Sequence, residues 1–426
     1  MSFGPPPSMQ PTSAPQPESP RRGRRVSRTV LLGVLAVALV AVLGTGSWLL
    51  WGGSGKGPSS QGQGPLDVRE TVEKQPASTS GEMAPRFSSD VKPGEHVAMP
   101  GMWATDRILA KGINKTLVGL SIGSTAAPGD EKWKLTLDGP ICGYTRHVTG
   151  DNRTAVLFRA NGWAEEALCN QVGFVDLDDG RLIWTERFPV SEVGREPGAG
   201  TGTEMDRPSV TLTHATVAVT WGGGTMGYDM GKGTTRWSTT AAAPCQDAGA
   251  AGGRALIVRE ECWSGDESLP VGSSQSVTYR LRKVDPASGK ALWTYSAAKG
   301  VRYLSVPSTD PAVIAVSGGE IEITDLISLN DRGRNRATIS LRHGAYVADC
   351  AYSDYLVIDD CPTIAVGRQQ VFIRSKDQVE KRQTSNWIIG FDLATGGDHQ
   401  EVRLRTGSPA LPGAHERRPP ARAAAE

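Results

Sequence analysis

Between residues 95 and 405 the chain is a succession of short runs in which apolar and polar positions alternate, and no segment there carries a sustained 3.6-residue period. Arg107-Ile108-Leu109-Ala110-Lys111 and Thr116-Leu117-Val118-Gly119-Leu120 read as a first pair of strands. Thr154–Phe158, Thr216–Thr220, Ala255–Arg259, Val313–Val316 and Tyr355–Ile358 read as the inner strands of the units that follow. The pattern predicts an all-β domain.

One spacing recurs within these runs. Val175-Asp176-Leu177-Asp178-Asp179-Gly180-Arg181-Leu182-Ile183-Trp184 has Gly four positions after Asp and Trp four after Gly. Asp229, Gly233 and Trp237 repeat it, as do Asp285, Gly289 and Trp293. Asp can bond the backbone two residues on, and Gly takes positive φ at no steric cost, so each copy predicts a tight hairpin. The return strand then carries a Trp at a fixed place, a ring able to bury about 200 Å² and anchor one sheet to the next. Fainter copies extend the array: Gly129 precedes Trp133 by four, Asn330-Asp331-Arg332-Gly333 is followed by Ala337, and Asp392 and Gly396 by Gln400. The Gly anchors at 129, 180, 233, 289, 333 and 396 step by 51, 53, 56, 44 and 63 residues, spacings suited to four-stranded units with variable loops.

Hairpins of the form x-D-x-x-[TS]-G-x-x-x-W resemble the repeats of the PQQ-type, quinoprotein-like (BamB-like) β-propeller family over about residues 100–405. The resemblance implies a β-propeller of six or seven four-stranded blades in which Trp133, Trp184, Trp237 and Trp293 dock each blade on its neighbour. Gly180, Gly233, Gly289, Asp176, Asp229 and Asp285 would shape the turns. It does not imply a quinone, because many members of this superfamily bind none. Ring closure is expected to pair residues near 95–100 with the last blade, and a degenerate seventh blade could occupy the 63-residue last interval.

The flanking sequence is of another kind. Residues 1–29 are Pro- and Arg-rich, cannot bury a core and predict a disordered cytoplasmic tail. Charge is absent from Thr29 to Gly55, and Val30–Trp51 is a 22-residue run dominated by Val, Leu and Ala, long enough for one transmembrane helix. Arg21, Arg22, Arg24, Arg25 and Arg28 before the run predict a single pass with the N-terminus cytoplasmic, and Trp48 and Trp51 suit the far interface. The run is longer than a cleavable leader and ends without a small-x-small site, which favours an uncleaved anchor. Residues 52–94, rich in Gly, Ser, Gln and Pro, predict a flexible linker, and 406–426 a disordered tail. The Pro-rich leader, Arg over Lys and abundant Ala and Gly resemble membrane-anchored actinobacterial envelope proteins.

Six cysteines outside the membrane suggest disulfides. Their placement around the inner strands of alternate units pairs Cys142 with Cys169, Cys245 with Cys262 and Cys350 with Cys361. No Cys-x-x-Cys spacing supports a metal. A formal net charge of +1 implies no nucleic-acid partner.

No local pattern carries catalytic or cofactor chemistry. Gly222-Gly223-Gly224-Thr225-Met226-Gly227 matches G-x-G-x-x-G, but a strand follows instead of the helix a pyrophosphate requires. Asp176-Leu177-Asp178-Asp179-Gly180 hints at a calcium loop, yet Arg187 stands where the closing Glu belongs. The six histidines are scattered, and no nucleophile elbow occurs. The expectation is therefore a non-catalytic, membrane-tethered, extracytoplasmic propeller without cofactor or metal, acting as a binding or scaffold module for a protein or cell-envelope ligand. The alternatives are a sensor ectodomain signalling through a partner, and a PQQ-dependent dehydrogenase.

Overall fold

A computed structural model describes residues 64–69, 97–122, 129–160, 168–189, 208–240, 244–263, 277–319, 322–342, 345–350, 357–380 and 383–405. Every element is a strand. The Val30–Trp51 run and the expected tails lie outside the described residues, among which no helix is long and apolar enough to cross a membrane.

After β1 (Val68–Arg69), the strands fall into six antiparallel sheets, each contiguous in sequence. Blade 1 is β2 (Met102–Ala104), β3 (Ile108–Ile113), β4 (Thr116–Ser121) and β5 (Glu131–Thr136). Blade 2 is β6 (Ile141–Tyr144), β8 (Arg153–Arg159), β9 (Cys169–Asp176) and β10 (Leu182–Arg187), with β7 (Val148–Thr149) set apart to pair β1. Blade 3 is β11 (Ser209–Thr213), β12 (Thr216–Thr220), β13 (Thr225–Asp229) and β14 (Thr235–Ser238). Blade 4 is β15 (Cys245–Ala251), β16 (Leu256–Trp263), β17 (Val277–Val284) and β18 (Ala291–Ser296). Blade 5 is β19 (Tyr303–Thr309), β20 (Ala312–Ser317), β21 (Asp325–Leu329) and β22 (Asn335–Ser340). Blade 6 is β23 (Tyr346–Val347), β24 (Ile364–Val366), β25 (Gln370–Ser375), β26 (Gln378–Glu380), β27 (Gln383–Asp392) and β28 (Asp398–Arg405). Successive four-stranded meanders of this kind are the blades of a β-propeller.

The hairpin between the third and fourth strands has one construction throughout. Gly180, Gly233, Gly289, Gly333 and Gly396 have φ between 69° and 77°, which a side chain would oppose. The carbonyls of Asp176, Asp229, Asp285 and Asp392 accept from the Gly N–H at 2.8–3.0 Å, and their carboxylates accept from N–H groups two or three residues on. Asn330 replaces Asp in blade 5 and accepts from Arg332 N–H at 3.0 Å. A bulge follows the Gly in all six hairpins. The positive φ sets up that extra residue and sharpens the local twist.

The core lies between blades. Trp103, Ile108, Ala110 and Leu117 of blade 1 meet Ile141, Val156 and Phe158 of blade 2. Leu157, Val172 and Phe174 meet Leu212 and Val217 of blade 3. Val258 and Val284 meet Ala218 of blade 3, Leu281 meets Leu304 and Ile314 of blade 5, and Leu326 and Ile339 meet Val371 and Phe391 of blade 6. The second strands of blades 2 to 5 have partners on both sides and are buried along both faces at their centres.

Four sequence expectations are corrected. Thr154–Phe158, Thr216–Thr220, Ala255–Arg259 and Val313–Val316 fall on second strands; the innermost ones are the less apolar β6, β11, β15 and β19. An innermost strand contacts the narrow centre and must be small, whereas a second strand is sandwiched between sheets and reads as the most apolar run. Ile358 belongs to an insertion and not to an inner strand. The described part of the expected closing segment, 97–100, does not join the last blade: Ala98 pairs with Asn114 of blade 1, and blade 6 draws every described strand from Tyr346–Arg405. The long last interval holds the insertion and the β26 hairpin, and among the described residues no seventh blade.

The fourth correction concerns the linker. Residues 64–69 of the expected flexible stretch are docked as a strap across three blades. Asp67 and Pro65 carbonyls accept from Gly150 and Asp151 of blade 2, and the Leu66 carbonyl from Ala215 of blade 3. Arg69 donates to the Ala104 carbonyl of blade 1 at 2.7 Å, and Val68 is buried at 3% exposure. The alternation Leu66-Asp67-Val68-Arg69 is too short to register as a strand, and only the mouth of the propeller supplies its partner.

Candidate functional site

The repeated Trp and Gly residues meet across blades, never within one repeat. A Cβ at Gly180 would fall 2.4 Å from the Trp133 ring, and the Trp133 Nε1–H donates to the Leu177 carbonyl at 3.1 Å. Trp184 lies on Gly233 and donates to the Met230 carbonyl at 2.7 Å. Trp237 lies on Gly289 and donates to the Pro286 carbonyl at 2.8 Å. Trp293 lies on Gly333, but its Nε1–H has no acceptor among the described residues. Asp176, Asp229 and Asp285 stand one residue before the first three acceptors and shape the turns that present them. Where Trp is replaced by Ala337, the blade 6 turn closes the gap, and a Cβ at Gly396 would lie 2.9 Å from the Thr338 carbonyl. These residues are accounted for by packing.

The three disulfides are Cys142–Cys169, Cys245–Cys262 and Cys350–Cys361. Cys245 and Cys262 are directly opposed on β15 and β16. Cys350 and Cys361 close an insertion in the inner strand of blade 6, since β23 and β24 both pair β25 and residues 348–350 and 357–363 between them belong to no strand.

That insertion reaches the centre of the ring. The Ile358 carbonyl accepts from Val306 N–H of blade 5 at 2.6 Å, and Ile358 is fully buried. The Asp359 carboxylate accepts from Thr211 Oγ1 of blade 3 at 3.0 Å and from Gly252 N–H of blade 4 at 3.4 Å. His147 Nε2 of blade 2 stands 3.3 Å from Asp359 Oδ2, and Arg146 donates to the Asp359 carbonyl at 3.0 Å and pairs Asp360 at 3.7 Å. Burial pushes the Asp359 carboxyl up, but the His147 imidazole beside it, Arg146 and the Thr211 hydrogen bond outweigh it and hold the group below the usual carboxylate range. The Asp–His pair has no nucleophile in line with it in the contacts observed. Its partners are a hydroxyl, a backbone N–H and a guanidinium from three blades, which is the chemistry of an anchor.

A second polar cluster lies between blades 3 and 4. Asp247 Oδ2 accepts from Thr225 and Thr239 hydroxyls at 2.8 and 2.7 Å, and Arg282 bridges Asp247 Oδ1 at 2.9 Å to Glu260 Oε1 at 2.6 Å. Arg280 also pairs Glu260. On the other face of β16 the fully buried Arg259 donates to the Ala248 and Leu304 carbonyls, both at 2.8 Å, and lies 5.6 Å from the Tyr279 ring centre. Burial above all, with Glu261 nearby, pushes the Tyr279 hydroxyl up to about 12. Sequence reading missed these groups. The visible signal was the triplet Arg259-Glu260-Glu261 directly after Ile257-Val258, three charges inside a strand that otherwise reads as core.

Gly222–Gly224 joins β12 to β13, Thr225–Gly227 already lies on β13, and no helix opens there. Asp176 and Asp178 of the suggested calcium loop bind Arg153, Arg181 and Arg107. Among the described residues no group of three or more His, Cys, Asp or Glu is placed to hold a metal.

Acid should therefore weaken this fold in a definite window. The Arg236 hydrogen bond above all holds Asp229 below its ordinary range, Ser288 does the same for Asp285, and Asp359 is lowered as described. A carboxylate with a depressed folded value contributes stability above its unfolded value, near 3.9, and loses it as pH falls through the folded one. Denaturant midpoints should fall between about pH 4 and 2. A midpoint unchanged from pH 5 to pH 2 would show that these pairs do not favour the folded state.

No protein-family profile and no characterised protein sequence matches the chain. Several solved structures are similar to it. BamB from Moraxella catarrhalis is 12% identical, with a TM-score of 0.37, over 71% of this chain and 72% of that one. A europium-containing methanol dehydrogenase is 11% identical, with a TM-score of 0.43, over 72% of each chain. The β-propeller domain of Cps50 (Swd1) from Myceliophteria thermophila is 11% identical, with a TM-score of 0.39, over 74% of this chain and 91% of that one. Fold does not fix function, and these similarities leave the activity open.

Proposed function

We propose that the chain is a membrane-tethered, extracytoplasmic β-propeller that binds a protein or cell-envelope ligand on its loop faces and performs no reaction. The observation that carries the reading is the occupied centre. Propellers assemble sites from several blades around the central channel, and here Ile358, Asp359 and Asp360 enter it and engage Arg146, His147, Thr211, Gly252 and Val306. Binding is left to the loops and rims. The tether reading is supported by the uncharged Val30–Trp51 run behind five arginines and by three disulfides, which suit an oxidising compartment.

Two measurements test it. Alkaline extraction of membranes should leave the full chain in the pellet and release a chain lacking residues 1–51; equal release of both would remove the anchor. Adding PQQ with Ca²⁺ to the full chain should leave its thermal midpoint unchanged, because only a binder of the native state raises it. A saturable rise with dye reduction would replace the binding reading by a dehydrogenase.

A further inference from the structure

Five of the six blade interfaces are sealed by apolar clusters, and among the described residues no cluster spans blade 6 and blade 1. The strand pairings agree, since neither blade lends a strand to the other. Burial shows the same seam. In β3, Ile108, Ala110 and Gly112 are buried, while Leu109, Lys111 and Ile113 on the opposite face are part-exposed. In β25, Val371, Ile373 and Ser375 are buried, while Phe372 and Arg374 are part-exposed. The inner strand β11 of blade 3 is buried at every residue, whereas β2 of blade 1 exposes Met102 and Ala104.

We propose that the blade 6 insertion is a central latch that closes the ring in place of strand exchange. A blade packed on one neighbour only behaves as the end of a repeat array, which opens before the interior does. Among the described residues the apolar packing of blade 6 is on blade 5. Through Ile358 and Asp359 it is also tied to blades 2, 3, 4 and 5 across the axis, by Arg146 and His147, Thr211, Gly252 and Val306 in turn. The Asp359 carboxylate is part of the latch: it faces His147 directly, with Arg146 bound to its own backbone carbonyl and Asp360 beside it. The Cys350–Cys361 bond closes the insertion at its base, and both cysteines are buried against blade 5, so Ile358–Asp360, which directly precede Cys361, start from a fixed root.

The test is hydrogen exchange on the full chain in mild detergent, comparing Asp359→Ala with the parent. Amides of β25 and β27 should exchange about 10-fold faster while those of β12 and β16 keep their protection. Unchanged exchange in blade 6 would overturn the latch. An equal rise in every blade would also overturn it, since Asp359 would then be an ordinary core group. Should Asp359→Ala not fold, Asp359→Asn keeps an acceptor for Thr211 and removes the charge facing His147. The Cys350→Ser/Cys361→Ser chain loosens the root instead. Each is read against the same two outcomes.

Discussion

Replacing Asp247 by Ala should cost about 3–5 kcal/mol, because removing one partner of a buried pair strands the other. Asp247 is 4% exposed, and each of its oxygens is engaged, one by Arg282 and the other by Thr225 and Thr239. Without it, Arg282 keeps only Glu260, which it already shares with Arg280, and two threonine hydroxyls from blade 3 lose their acceptor at the blade interface. The double variant Asp247→Ala/Arg282→Met should recover part of the loss, since an apolar side chain of similar length needs no counter-charge. Urea unfolding of the three variants measures both effects. A single-variant loss under about 1 kcal/mol would mean that water replaces the carboxylate, and that the cluster is wetter than its burial shows.

Trp237→Ala is expected to cost about 3 kcal/mol, at the low end for a large aromatic because the ring is part-exposed at its rim. The loss combines the packing of the ring on Gly289 with the hydrogen bond to the Pro286 carbonyl. It should not be restored by Gly289→Ala, because the turn φ of 69° resists a side chain whether or not the ring is there. Trp293→Ala provides the control. Its ring makes the same contact with Gly333, but its Nε1–H has no acceptor among the described residues, so removal should cost less by about one hydrogen bond, 0.5–1.5 kcal/mol. Equal losses in denaturant unfolding would show that area alone holds the blades together.

How much of this could be read in advance depends on the range of the interaction. The spacing Asp285–Gly289 implies its hairpin because the Asp side chain, the Gly φ and the turn are all within five residues. The cysteine pairs were legible because each closes a loop local in sequence, 11 to 27 residues apart. The identity of the inner strands was not, since Thr216–Thr220 and Ser209–Thr213 are both short and β-prone. Only packing between two sheets distinguishes them.

The candidate site was the least legible part. His147, Thr211 and Asp359 lie on three blades, 64 and 148 positions apart in sequence, and none forms a motif with anything nearby. The extra length of the last repeat pointed to something inserted there, and a seventh blade was the natural reading of it. The linker misled for the opposite reason: Leu66–Arg69 has no partner in sequence and gains one only when blades 2 and 3 stand side by side.

By itself the sequence therefore determined the all-β repeat, its turns and its disulfides, because these follow from bonds and dihedrals inside a few tens of residues. The tertiary structure alone decided which strands face the centre, that the strap and the blade 6 insertion are docked, that charges are buried in pairs between blades 3 and 4, and that no apolar cluster among the described residues spans blades 6 and 1. Each of those depends on groups distant in the chain coming to within about 3 Å of one another, where a hydrogen bond or an ion pair first acquires its energy.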